Sequence, residues 1–300
     1  MRIMVGISLA AMLIASIAPA AAKDTPAVIV ERDRAVPGGR AVQIAVPQTR
    51  IDTSFEVGRV ASDSYGGGLI GAIIISSMDD KREVMGRSLL ERAETTVAPL
   101  REALRTFDVD GLALATTRAA LAETAWFQAR DIVATKESTR QSRAAFYQTS
   151  AAPQVAFVTY RYGLSPDFTH IRVTADIALM RKPVARGATT QPEPFYEQTI
   201  SSIVQLRSRS YEHHENVAQW SADDGKLAKA SLIAAFGQIE RLIPYALRLD
   251  AAEAGQFADK NRPKAFGAGF YGALIRKDEA AEGTLLWSRG LVYVQSTPAG

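Results

Sequence analysis

The stretch QVAFVTYRYGLSPDFTHIRVTADIALM, at residues 154–180, decides the fold class because apolar side chains alternate with others on both sides of a turn. Residues 154–163 and 170–180 each repeat with the period of a β-strand. Ser165-Pro166-Asp167 between them is typical of a turn. The pattern predicts a long β-hairpin, and a third strand at 196–206 extends it to an antiparallel meander over 154–206.

Two long amphipathic helices are predicted on either side of this meander. Residues 79–104 and 216–249 place apolar side chains on one face of a helix. Pro99 and Pro244 each predict a kink or a break. The sequence therefore predicts an α+β fold in which these helices pack on an antiparallel sheet.

Shorter elements are predicted around this framework. Asp108 is a good N-cap for a helix over 109–123. Further helices are expected at 137–148 and 251–260, and strands or extended segments at 27–31, 41–46, 53–60, 126–135, 270–276, 284–288 and 291–296.

The N-terminus predicts export. Met1-Arg2 is a positive start, residues 3–17 are mostly apolar, and Ala20-Ala21-Ala22 fits a signal-peptide cleavage site. The apolar core is shorter than a membrane-spanning helix needs. We therefore expect a signal peptide over 1–22, cleaved near Ala22, and a single periplasmic domain over 23–300.

Composition is that of an ordinary globular protein. The chain has 47% hydrophobic and 22% charged residues, no cysteine and a formal net charge of +3. Without cysteine there is no disulfide framework, so core packing must hold the domain together. Because Lys and Arg are interspersed with Asp and Glu, no nucleic-acid partner is expected.

The most unusual segment of the mature chain is the glycine-rich apolar run at 66–78. Gly66, Gly68 and Gly71 match G-x-G-x-x-G, but the region that should hold the second strand reads as a charged helix, so no cofactor is expected. A run this short cannot span a bilayer. It fits a buried helix, self-association, an envelope partner or peripheral membrane contact. The residues expected to contact a partner are Gly67, Leu69, Ile70, Gly71 and Ile74.

Catalytic motifs are sparse. His213 and His214 form the one histidine cluster, but adjacent helical residues point apart, and Ala218 replaces the second histidine of H-E-x-x-H, so no metal site is assigned. Asp223-Asp224 reads as favourable charge in an early helical turn. Catalytic residues stay unknown, and the alternative to a non-enzymatic protein is a hydrolase using carboxylates or a metal near His213 and His214.

The order of these features resembles a family of uncharacterised exported proteins of Gram-negative bacteria. The resemblance rests on segments 65–72, Pro99-Leu100, 107–110 and 154–180. In layout the chain is similar to periplasmic α/β accessory modules, such as the curli-secretion lipoprotein and the N-terminal part of the Tol translocation protein. The resemblance concerns layout and transfers no functional residue. The expected function, a non-enzymatic exported envelope protein that serves as a binding or assembly module, rests on the apolar run at 66–78.

Overall fold

The computed structural model describes residues 25–53, 80–182, 193–279 and 282–298, with side chains from residue 92 onward in the helix that starts at Asp80. The helices are α1 (Glu31–Arg34), α2 (Asp80–Ala103), α3 (Val109–Ala122), α4 (Arg140–Thr149), α5 (His213–Arg248) and α6 (Ala251–Phe257). The strands are β1 (Arg40–Ala45), β2 (Asp52–Thr53), β3 (Ala129–Thr135), β4 (Gln154–Leu164), β5 (His170–Arg181), β6 (Tyr196–Gln205), β7 (Lys264–Gly267), β8 (Phe270–Asp278), β9 (Gly283–Trp287) and β10 (Leu291–Ser296).

The ten described strands form one mixed sheet in the order β3-β1-β4-β5-β6-β10-β9-β8-β7, with β2 also paired to β4. β4, β5 and β6 are antiparallel neighbours. However, β1 is parallel to both β3 and β4, β2 is parallel to β4, and β10 is parallel to β6. The prediction of an antiparallel sheet is therefore wrong, although the fold is α+β.

Every residue of β1 is buried, as is usual for a strand that has parallel neighbours on both edges. A strand buried on both faces is typical of the interior of a sheet with parallel neighbours, and the run Ala-Val-Gln-Ile-Ala has little polar surface to offer water. In the sheet, β1 lies between β3 and β4, which both come much later in the chain. Such a pairing is decided by long-range packing rather than by local alternation.

Helices α2, α3 and α5 cover one side of the sheet, here called the core face. Their apolar side chains share one buried cluster with alternate residues of the strands, among them Val97, Leu100, Ala113, Trp220, Phe236, Tyr160, Val173 and Ile200. Inside this layer Tyr160 Oη and Thr117 Oγ1 are 2.8 Å apart, and Trp220 Nε1 donates to Phe168 O at 2.8 Å. These four buried polar groups thus find partners within the core.

The opposite side of the sheet, here called the second face, is covered at its two ends. At one end Phe146 and Tyr147 of α4 pack on Val155, Phe157 and Met180. At the other, Ile203, Phe270, Leu286, Val292 and Val294 form a separate buried cluster. A Cβ built on Gly267 of β7 would lie 3.3 Å from Val294 Cγ2 in β10. Because β7 is three strands away from β10 in sheet order, the sheet must curl over its second face here.

The N-terminal segment is fastened to the sheet by Arg40, which is fully buried. Its guanidinium donates to Gln154 Oε1 at 2.7 Å and to the backbone oxygens of Asp33, Arg34, Trp126 and Phe127. Asp33 in turn accepts two 2.6 Å hydrogen bonds from Arg181. Residues 27–31 are not a strand, since Glu31 already begins α1.

Both long helices differ in detail from expectation. α2 continues through Pro99 to Ala103 without a break. In α5 the break lies at Ala222–Gly225 rather than near Pro244, and Asp223, Asp224 and Gly225 have φ between +51° and +69°. These residues separate two helical segments, so the pair of aspartates precedes the second segment instead of lying within a helical turn.

Candidate functional site

The five residues predicted to contact a partner, Gly67, Leu69, Ile70, Gly71 and Ile74, lie outside the described residues. The G-x-G-x-x-G match falls in the same segment. The described chain stops at Thr53, in β2, and resumes at Asp80, where α2 begins.

The two histidines of the alternative hypothesis lie at the start of α5. His213 makes an edge contact with Phe168, with ring centroids 5.5 Å apart, and His214 is exposed, with Nδ1 4.0 Å from Glu212 Oε2. Among the described residues, no three His, Cys, Asp or Glu side chains come together as a metal site. The histidine pair therefore gains no ligand set from the part of the fold that is described.

Ser165, Asp167 and His170 meet at the turn between β4 and β5, but their hydrogen bonds are those of a turn. Ser165 Oγ donates directly to Asp167 Oδ1 at 2.6 Å, and the backbone N–H and hydroxyl of Thr169 donate to the same oxygen. The ring of His170 lies 3.5 Å from Thr169 Oγ1 instead of between the serine and the carboxylate. A nucleophilic triad needs its histidine between those two groups, so this cluster stabilises the turn.

Burial and hydrogen bonding set the charges at this turn. Burial lowers the pKa of His170 to about 4, with Arg172 and Arg209 adding to the effect and Asp167 opposing it. Burial also disfavours the carboxylate of Asp167, yet hydrogen bonds from Ser165 and Thr169 hold its pKa below the ordinary value. The turn therefore carries a neutral imidazole and an ionised carboxylate near neutral pH.

A shallow cavity of about 460 Å³ lies beside α1, lined by Glu31, Arg34, Ala35, Val36, Pro37, Gly38, Trp126 and Gln128. Arg34 lines this cavity, but its guanidinium is already engaged, because Nη2 donates to the carbonyl oxygens of Leu247, Arg248 and Leu249. A cation at these carbonyls stabilises the C-terminal end of α5. In this cavity the guanidinium of Arg34 therefore serves a structural contact with the end of α5.

A more promising arrangement lies in the middle of the second face, where two rows of polar side chains cross β4, β5 and β6. Register pairing aligns Thr159, Asp176 and Thr199 in one row and Arg161, Thr174 and Ser201 in the next. We call these six residues the polar band. It lies between the apolar cluster under α4 and the cluster under the curled β7–β8 hairpin.

Hydrogen bonds connect the band from strand to strand. Arg161 pairs with Asp176 Oδ2, and Thr199 Oγ1 donates to Asp176 Oδ1 at 2.7 Å. Thr174 Oγ1 and Ser201 Oγ are 3.2 Å apart. Both oxygens of the Asp176 carboxylate are therefore engaged within the band.

Two further arginines border the band. Arg143 of α4 reaches down to Thr159, with Nη2 2.9 Å from Oγ1. Arg172 of β5 stands opposite Gly163, one row beyond Arg161 and Thr174. Arg143, Arg161 and Arg172 thus bring three guanidiniums to the polar band. Glu197 lies in the row on the other side of Asp176 and is exposed.

Arg172 is the unusual member of this group. It makes no hydrogen bond or ion pair with any described residue, and its one aromatic contact is the ring of Phe270, whose centroid is 6.0 Å from Cζ. Burial lowers its pKa, and the charge of Arg161 adds to this while Asp176 opposes it. A half-buried guanidinium that is repelled by its neighbour and forms no ion pair with a described residue is a place where an anion would be stabilised.

The sequence contained part of this signal. Arg161, Arg172, Thr174 and Asp176 share the more polar face of the alternating hairpin. The diagonal position of Arg172 relative to Arg161 depends on the strand register, which the alternation alone does not specify.

Comparison with known proteins adds no assignment: no protein-family model, curated protein or solved structure matches the chain. Within the described ranges, none of the helices is both long and apolar enough to cross a membrane. The polar band and its arginines are therefore the candidate functional site of the described residues.

Proposed function

We propose that this chain is an exported, non-enzymatic binding protein that holds a ligand carrying an oxyanion, such as a carboxylate or a phosphate, against Arg172 and the polar band. Guanidinium groups match the geometry of both anions, because their N–H groups form a planar fork. The hydroxyls of Thr174 and Ser201 lie next to them and supply further donors.

The observation that carries the proposal is the state of Arg172. Several arginines of the described fold are paired with a carboxylate: Arg181 with Asp33, Arg101 with Glu94, and Arg161 with Asp176. Arg172 instead is half-buried beside the guanidinium of Arg161 and forms no ion pair with a described residue, although Asp176 partly offsets the repulsion. An anion bound at Arg172 would compensate its charge, which gives the anion a reason to bind here.

Binding is a better description of this site than catalysis. Arginine stays protonated and cannot exchange protons at ordinary pH. The carboxylate of Asp176 is occupied on both oxygens by Arg161 and Thr199. The side chains around Arg172 are therefore arranged to hold charge and to orient a ligand.

Thermal unfolding with added anions tests the proposal. Inorganic phosphate and succinate represent the two kinds of oxyanion and should each be titrated at constant ionic strength. At about ten times its Kd, a ligand of the folded state adds about 1.4 kcal/mol of stability, or roughly 3 °C in Tm. Stabilisation by one anion and not by the other would identify the preferred group.

Arg172→Met should abolish this stabilisation, because Met keeps the aliphatic length without the charge. The matched control is Arg105→Met, which removes an arginine that is 71% exposed and paired with Glu102 at the end of α2. The proposal fails if neither anion raises Tm, or if the stabilisation survives in Arg172→Met.

The same proposal includes two features that are inferred from the sequence alone. One is export, and the other is the binding of a partner by residues 66–78. Periplasmic fractionation of the native host tests the first. Replacing Gly67 and Gly71 by Leu tests the second, since bulk at closely packed glycines should change the oligomeric state or the association with membranes. Unchanged sedimentation and unchanged fractionation would remove this segment from the proposal.

A further inference from the structure

Two large aromatic side chains are exposed on the β7–β8 hairpin. Phe266 is 72% exposed and Tyr271 is 61% exposed, although both lie in regular strands. They are register partners directly opposite each other. Their strand neighbours Ala265 and Phe270 point to the other side and pack on the apolar cluster of the second face. The inner residues of the hairpin therefore provide its packing against the sheet, and the outer aromatic pair is not needed for that packing.

Basic side chains accompany this pair. Residues 259–279, all of which the structure describes, contain five cations and three carboxylates; the cations are Lys260, Arg262, Lys264, Arg276 and Lys277, and the carboxylates are Asp259, Asp278 and Glu279. Lys264 lies on the same side of the hairpin as the aromatic pair, with Nζ 5.6 Å from the Tyr271 ring centroid. In a chain of formal net charge +3, this segment alone therefore carries a formal net charge of +2.

We propose that this aromatic and basic hairpin is a docking surface for a membrane that contains anionic lipids. Aromatic rings are favoured at the level of the lipid headgroups, and lysine or arginine near an anionic surface contributes about 1 kcal/mol each. The outer surface of the hairpin presents both kinds of side chain together. Charge complementarity thus selects an anionic bilayer over a neutral one.

The geometry favours a bilayer over a nucleic acid. Phe266 and Tyr271 project from the outer side of a curled strand pair, while the inner side is packed. A projecting pair suits shallow insertion between headgroups, whereas single-stranded nucleic acid is bound in a basic groove that follows its backbone. The outer aromatic pair lies on the opposite side of the hairpin from Phe270, the residue that contacts Arg172, so the two sites can be tested one at a time.

Co-sedimentation of the purified protein with vesicles tests this proposal. Vesicles of phosphatidylcholine with about one third phosphatidylglycerol should bind the protein, and pure phosphatidylcholine vesicles should bind it at least about fivefold less, given the contribution of each basic residue. High salt should release the bound protein, because exposed charges are screened.

The variant that should lose binding is the double substitution Phe266→Ser and Tyr271→Ser, with Lys264→Glu as an independent test of the charge. Both should reduce binding to anionic vesicles about fivefold or more. Tyr211→Ser is the matched control, because Tyr211 is fully exposed but lies outside the hairpin; it should bind like the unmodified protein.

Several results would overturn the proposal. Equal binding to neutral and anionic vesicles would remove the role of charge, and unchanged binding by both hairpin variants would place the contact elsewhere. Absence of vesicle binding, together with a dimer that the double substitution dissociates, would assign the surface to a second copy of the chain. Preferential binding of single-stranded DNA over anionic vesicles would assign it to nucleic acid.

Discussion

Acidification should destabilise the folded protein through the imidazole of His170. In the folded chain, burial lowers the pKa of this group from an ordinary 6.5 to about 4, and the charges of Arg172 and Arg209 act in the same direction. The unfolded chain therefore binds the proton more tightly than the folded chain does. By linkage, protonation favours unfolding, and stability falls as the pH drops from about 6.5 toward 4.

The magnitude follows from the two pKa values. At about pH 5 the imidazole is almost fully protonated in the unfolded chain and mostly neutral in the folded one, which lowers the free energy of unfolding by about 2 kcal/mol. Below about pH 4 the loss levels off on the order of 3 kcal/mol. Asp167 acts in a separate range, because its pKa is lowered from an ordinary 3.8 and its contribution is lost only under more acidic conditions.

Urea unfolding at several pH values between about 5 and 7.5 measures this effect. In His170→Gln, which stays neutral, the free energy of unfolding should fall by about 2 kcal/mol less over that range than in the unmodified protein. His214→Gln is the matched control, since His214 is exposed in the fold, and it should keep the full pH dependence. The reasoning is refuted if His170→Gln shows the same slope as the unmodified protein, or if His214→Gln removes it.

Four further variants test packing and hydrogen bonding, and each is measured as a change in the free energy of unfolding in urea. Arg40→Met should cost about 4 kcal/mol or more, because it removes the buried donor to Gln154 Oε1, to Trp126 O and to Phe127 O; a cost below about 1 kcal/mol would contradict this. Trp220→Phe should cost about 1–3 kcal/mol, since it removes the 2.8 Å hydrogen bond that the buried indole donates to Phe168 O; a neutral result would contradict this. Gly237→Ala should stabilise α5 by about 0.5–1 kcal/mol, as no heavy atom lies within 4 Å of the added methyl. Gly272→Ala should instead destabilise by about 1–3 kcal/mol, because its methyl would lie 1.9 Å from Trp287 O; the reverse order of these two variants would disprove the packing argument.

Elements with a strong local signal could be predicted from sequence. The hairpin of β4 and β5 appears where alternation indicated it, and Asp108 caps α3 by accepting from Gly111 N at 2.8 Å. The parallel pairing of β1 could not be predicted in the same way, because its partners lie about 90 and 115 residues away in the chain. Its one sequence signal, a nearly continuous apolar run, indicates burial on both faces but not the identity of the neighbours.

Proline proved a weaker guide to helix ends than glycine and aspartate. Pro99 and Pro244 both lie inside continuous helical segments, where each removes one backbone donor without ending the helix. The break in α5 occurs at Asp223-Asp224-Gly225, where positive φ is tolerated by aspartate and by glycine. Helical periodicity continues on both sides and so conceals this break in the sequence.

The candidate sites were missed for different reasons. Arg172 looks like any polar residue on a half-exposed strand until the register places it diagonally beside Arg161. The cations of residues 260–277 are spread along the segment, with only Arg276 and Lys277 adjacent, so they do not form a run of like charge. They become a surface only when β7 and β8 pair and leave Phe266 and Tyr271 on one side.

The position of β10 has a consequence for biogenesis. This most C-terminal of the described strands lies between β6 and β9, so it joins the β7–β9 antiparallel unit to the rest of the sheet. Until residues 291–296 are available, β6 presents an open edge that invites pairing with other chains. The sheet is therefore completed only when residues 291–296 have joined it, and loss of this strand would act as an all-or-none event instead of a gradual trimming.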